Sequence, residues 1–192
     1  IKSVDYEKQK VNADKLYQGF TQMDCTAETL AGLRTEGSIP WADQCPPNHF
    51  YLFNQKSREG GETDSELARF DPETGRLRHV DYRMPNVAGI QALTQQQRMA
   101  IDLLLDPKIN LVSLVGKAGT GKTLLAIAAG LKQTMEDKLY TRVLVSRPVI
   151  PMGKDIGFLP GAKGEKLSHW MMPLFDNLEY ILSVYKKPAV KN

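Results

Sequence analysis

The stretch "GKAGTGKT", residues 116–123, lies directly between the apolar run "INLVSLV" and the small-residue run "LLAIAAGL". Three glycines, two lysines and two threonines in eight positions do not suit a core element, so the chain must turn here between two elements that do. The spacing is Gly-x-x-x-x-Gly-Lys-Thr, with Gly116, Gly121, Lys122 and Thr123 at its fixed places. Glycines let the backbone coil so that successive N–H groups point inward at an anion, and the first turn of a following helix adds its partial positive charge. Placed between a strand and a helix, the pattern predicts a phosphate cradle. The backbone of Gly116, Lys117, Ala118, Gly119, Thr120 and Gly121 would surround the phosphates. Lys122 would reach the β and γ oxygens, and Thr123 would place its hydroxyl on Mg²⁺.

The flanks set the fold class. "INLVSLV" is a continuous apolar run with β-branched residues, the pattern of a parallel strand covered on both faces. "TLLAIAAGLKQTM" predicts a helix whose small residues pack closely on that strand, and "RVLVS" repeats the buried-strand pattern. Strand, loop, helix and strand form one βαβ unit with an expected right-handed crossover. Upstream, "TQQQRMAIDLLLD" predicts a helix capped by Thr94, with Gln97 at the capping-box spacing and Pro107 closing it. The expected class is α/β, a P-loop core on a parallel sheet.

Before residue 93 the pattern differs. "HFYLF" and "LARF" are β-like runs, "SREGGETDS" is a loop, and "FDPETGRLRHV" predicts a hairpin turning at Asp71–Gly75. A weak helical pattern around "TAETLAGL" has Thr26 placed to cap it, and "GSIPWADQCPP" interrupts all periodicity. The expected organisation is a β-rich accessory module or connector over 1–92 and the α/β part over 93–192.

Composition excludes several classes. No run of about 18 apolar residues exists, so no membrane span is expected, and "IKSVDYEKQK" lacks the apolar core of a signal peptide. Cys25 and Cys45 lie far from each other and from any histidine at metal-ligand spacing, which predicts reduced thiols and a cytoplasmic protein. The first residue is not Met, and the chain is expected to begin inside a longer protein. The net charge of +3 is small, but its basic excess follows the loop: residues 140–192 hold 8 Lys/Arg against 4 Asp/Glu. Such a skew suits a polyanionic partner or a solvated face.

"LVSLVGKAGTGKTLLAIAAGL", followed by "VSRPVIPMGKDIGFLPG" and "EKLSHWMMPLFDNLEYIL", resembles the PhoH-like family of P-loop ATPases, related to superfamily 1 helicases. "VNADKLYQGF" onward resembles the connector of longer members that carry an N-terminal PIN ribonuclease domain. The resemblance covers roughly residues 80–185. It implies an ATPase using ATP and Mg²⁺, coupled to RNA unwinding or decay, in a ring-shaped homo-oligomer such as a hexamer. It also implies that Gln97 reads adenine; the capping box is the alternative use of the same side chain. Arg147, at the carboxyl end of the second strand, would contact RNA phosphate or a neighbour's nucleotide, or form a surface salt bridge. Lys154 and Asp155 would sit on a Pro- and Gly-rich loop facing RNA or a neighbouring subunit. The stripe Leu167, Trp170, Met171, Leu174, Leu178, Ile181, Leu182 and Tyr185 has helical spacing and is expected to be core, with Pro173 kinking or splitting the helix.

A P-loop ATPase also needs a carboxylate at the end of a further strand to hold Mg²⁺. None follows Thr123 in that setting, and Asp106 belongs to the preceding helix. The resemblance implies that the acidic strand and an arginine segment follow residue 192, so this chain is expected to hold a nucleotide better than it hydrolyses one. Two other classes remain open: a P-loop kinase of a small metabolite, and a non-catalytic RNA-binding or assembly module that a nucleotide stabilises.

Overall fold

The computed structural model describes residues 17–55, 64–81, 86–146 and 163–185, with backbone alone over 163–170. The chain divides into two compact units, Ile1–Tyr82 and Arg83–Asn192.

The first unit is a mixed sheet under one helix. Strand β1 (Phe20–Asp24) leads through helix α1 (Ala27–Glu36) to the short edge strand β2 (Ser38–Pro40), and then come β3 (Phe50–Gln55), β4 (Asp64–Asp71) and β5 (Arg76–His79). Their order across the sheet is β1-β3-β4-β5-β2, with β1 and β3 parallel and all other pairs antiparallel. The Thr26 hydroxyl accepts from Thr29 N–H, and Gly37, at φ 71°, closes α1 with its N–H on the Leu33 carbonyl. The β4–β5 hairpin turns where expected. Asp71 accepts from the Glu73 N–H and the Thr74 hydroxyl, and Gly75 takes φ 64°. Leu30 and Leu33 of α1 pack on Tyr51, Phe53, Ala68 and Leu77, which are nearly devoid of solvent contact. The strands β1 and β2 were not expected. Phe20–Asp24 carries only Phe20 and Met23 as apolar residues, three apart and so out of step with a strand's period of two, and Ser38–Pro40 is too short to show a period.

Polar side chains tie α1 to the sheet. Glu66, buried on β4, accepts from Arg34 Nε of α1 at 2.5 Å and lies 2.6 Å from His79 Nε2 of β5. Arg34 also donates to Asp64 at 2.5 Å. That bond raises the guanidinium further and holds the Asp64 carboxyl below its ordinary range. At the other end of the sheet His49 is buried, with Nδ1 at 2.5 Å from the Tyr17 hydroxyl and Nε2 at 2.9 Å from the Thr21 hydroxyl. Burial pushes the His49 imidazole below its usual value.

The second unit is helical among the described residues: α2 (Gln95–Leu105), α3 (Lys122–Leu131) and α4 (Lys163–Tyr185). Its core gathers Val87 and Ile90, Ala100 and Ile101 of α2, Leu125, Ala128 and Ala129 of α3, and Ile181 of α4. A five-residue π-helical turn, Lys132–Glu136, continues α3, and Gln133 Nε2 donates to the Leu104 carbonyl at the end of α2 at 2.7 Å. Gly89, at φ 88°, stands so close to α4 that an added Cβ would lie 2.9 Å from Val184. Helix α4 runs through Pro173 without splitting; of its stripe Ile181 is buried and Leu174 and Leu178 pack half-buried against the core, whereas Tyr185, expected in the core, is exposed. Trp170 and Leu167 lie among the positions of α4 where only the backbone is described.

One expectation is corrected. Residues 109–115 and 143–146 are not strands and make no ladder among the described residues. Val112 and Leu114 are half-buried on the helical side, yet Leu111 is 84% exposed, Val115 76% and Leu144 82%. A parallel strand is held by pairing on its flanks and cover on both faces, and these segments have cover on one side only. Among the described residues the parallel pair is β1 with β3, in the other unit.

Candidate functional site

The loop at 116–121 is shaped by the conformations its glycines permit. Gly119 takes φ 78° and Gly121 φ 85°, in the left-handed region that other residues avoid. Gly121 is the N-cap of α3 and has no side chain to satisfy the helix's first N–H groups, so these remain available to an anion. All residues from Val115 to Thr120 are exposed.

Lys122 folds back over this loop. Its Nζ donates to the Gly116 carbonyl at 3.0 Å, the Lys117 carbonyl at 2.7 Å and the Thr120 hydroxyl at 3.2 Å, while the Thr120 hydroxyl donates to the Lys117 carbonyl at 3.0 Å. The ammonium therefore lies against the concave backbone, within one side-chain rotation of anything bound there.

Gln97 joins the same cluster from α2. The Thr94 hydroxyl accepts from Gln97 N–H at 3.2 Å, as the capping box requires. The Gln97 side chain returns to Leu93 N–H instead of Thr94 N–H, at 2.7 Å, and its amide nitrogen donates to the Thr120 carbonyl at 3.3 Å. The spacing revealed the cap; the bridge to the loop depends on how α2 and α3 pack and leaves no signal in the sequence. The tie from Gln133 to Leu104 was missed for the same reason.

The fit to Mg²⁺ is partial. Thr123 is exposed at the start of α3 and offers one hard oxygen, and Mg²⁺ on a nucleotide takes most other ligands from phosphate and water. Among the described residues no three His, Cys, Asp or Glu side chains gather to hold a metal. Asp176 is exposed on α4, and Asp102, though buried, is on α2 before the loop. Arg147, Lys154 and Asp155 lie outside the described residues. A groove of about 650 Å³ beside α3 is lined by Lys122 and Thr123 together with apolar side chains, Val112, Leu114, Ile127 and Leu174 among them, so the two candidate side chains border an open space with one polar and one apolar side. No helix among the described residues is long and apolar enough to cross a membrane.

A glycine loop that runs from an apolar segment into a helix, with a lysine lying over it, is the arrangement of a P-loop protein. The family model for the PhoH-like protein matches residues 89–190, and the chain belongs to that family, whose members are generally P-loop ATPases. It is similar to protein PhoH2 of Bacillus subtilis, 40% identical over 183 residues, which cover 93% of this chain and 40% of that protein. Protein PhoH2 of Mycolicibacterium smegmatis is 36% identical over 91% of this chain and 38% of its own length, and that of Thermobispora bispora is 33% identical over 87% and 37%. The chain thus spans about two fifths of these relatives. No solved structure matches it.

Proposed function

We propose that the second unit binds Mg²⁺-ATP at the 116–123 loop, as part of a protein that hydrolyses ATP and couples hydrolysis to RNA unwinding or decay. The observation that carries this reading is the placement of Lys122 Nζ against the Gly116 and Lys117 carbonyls. A bound triphosphate offers the ammonium charged acceptors in place of neutral ones, and charge-assisted bonds are roughly twice as strong. Backbone N–H groups of Lys117 through Thr123 would surround the phosphates, and the Thr123 hydroxyl would take one position on Mg²⁺. The metal, when bound, neutralises charge on the β and γ oxygens.

The RNA arm of the proposal rests on family resemblance and on the basic excess after the loop. Arg147 and Lys154 are its candidate contacts, with RNA or with a neighbouring subunit in a homo-oligomeric ring. The first unit, Ile1–Tyr82, would serve as the accessory module or connector. The test is ATPase activity of the full-length protein with and without RNA. Stimulation by RNA supports the reading. Binding of ATP without turnover under any condition would favour a nucleotide-stabilised assembly module.

A further inference from the structure

The Thr120–Gly121 peptide is the last of the loop before α3, and its orientation decides whether the Gly121 N–H can serve an anion. In a trans peptide the carbonyl and the next N–H point to opposite sides, and the described chain has no cis bond. Here the Thr120 carbonyl faces Gln97 and accepts from its Nε2 at 3.3 Å. The Gly121 N–H therefore faces away from Gln97. Gly121 is at φ 85° and has no Cβ, so rotation of this peptide to the opposite orientation meets little steric resistance. Glycine thus permits the conformation without enforcing it. Enforcement must come from a bond to the carbonyl, and Gln97 supplies one. Gln97 is itself anchored, since its Oε1 accepts from Leu93 N–H at 2.7 Å and its own N–H bonds the Thr94 hydroxyl. The contact is also close: a Cβ on Gly121 would stand 3.3 Å from Gln97 Nε2.

Resting on the reading of the loop as a phosphate site, we propose that Gln97 is a positioning residue for that loop. It holds the Thr120–Gly121 peptide in the orientation that presents Gly121 N–H to the phosphates, whatever base the nucleotide carries. The same Thr120 receives Lys122 Nζ on its hydroxyl, so one residue couples the latch to the cationic arm.

The test compares wild type and Gln97→Met, which is close in size, uncharged and unable to donate. Its helix start keeps the Thr94 cap, because that bond uses the backbone of residue 97. Magnesium tripolyphosphate, which has no base, is titrated by calorimetry alongside ATP and GTP, and melting is followed in parallel. The expected result is a loss of roughly five- to tenfold in affinity for all three ligands, the size of one hydrogen bond, at nearly unchanged melting temperature. An unchanged tripolyphosphate affinity with a lost preference for ATP over GTP would overturn the proposal in favour of base reading. A lowered melting temperature with all three affinities intact would overturn it in favour of a purely structural cap. Wild-type chain that binds none of the three would overturn the phosphate-site reading, and the positioning role with it.

Discussion

Lys122 Nζ lies 2.7 Å from the Lys117 carbonyl oxygen, so the cation of the candidate site is held by the loop it is meant to serve. Both groups are on the exposed side of the unit, and water can replace either partner. The bond therefore adds little to folding, and its replacement by bonds to phosphate is favourable.

Lys122→Ala should accordingly leave stability within about 0.5 kcal/mol and weaken Mg²⁺-ATP binding roughly 10- to 100-fold, the range of a lost charged hydrogen bond. Titration calorimetry and thermal melting on the same samples separate the two effects. Unchanged affinity in a folded variant would remove the loop from the site.

Turnover is a separate matter. Thr123 is the candidate metal ligand proposed for the loop, and stabilising a phosphoryl-transfer transition state needs a firmly held metal and added positive charge. The 192-residue chain alone is expected to hydrolyse ATP negligibly. A longer chain that carries a further acidic strand and an arginine segment should hydrolyse it faster, by about 10³ or more if an arginine acts as a finger. The measurement is phosphate release at matched concentrations, with and without RNA. Robust turnover by the short chain would send the search for a metal-holding carboxylate back to Asp155 and Asp176.

In the first unit, Glu66 is the buried junction between Arg34 on α1 and His79 on β5. Glu66→Ala should cost about 2 kcal/mol, less than a wholly buried pair, because Arg34 is partly exposed and regains water. The loss should be read by chemical denaturation, and nucleotide affinity of the second unit should not change. A cost below about 0.5 kcal/mol would mean that the ties add nothing to the packing of Leu30 and Leu33.

The pH response has two expected parts. His49 is held below its ordinary value by burial, so the unfolded chain binds its proton more readily; the cost to stability sets in as pH falls below about 6.5. His49→Gln should flatten the curve below about pH 6.5. Asp64 is also depressed, by the bond from Arg34, so its contribution is complete above about 4 and is lost as pH falls lower. Asp64→Asn should remove that acid limb. Denaturation midpoints across the pH range check both parts, and a slope below pH 6.5 that survives His49→Gln would reassign it.

Where local chemistry governs, the sequence by itself determined the outcome. Thr26 and Thr94 cap the helices they precede, Asp71 and Gly75 make the hairpin turn, and Gly119 and Gly121 take left-handed conformations that the lack of a Cβ permits. Each depends on residues within four positions, and the loop pattern from Gly116 to Lys122 spans only six. What only the tertiary structure decided lies across longer separations. The bond from Gln97 to Thr120 joins residues 23 apart, and the ties from Arg34 and His79 to Glu66 join three elements. The apolar runs at 109–115 and 143–146 show the limit from the other side. Their composition favours a strand, but a strand is a property of a pair, and the pairing groups are not present among the described residues.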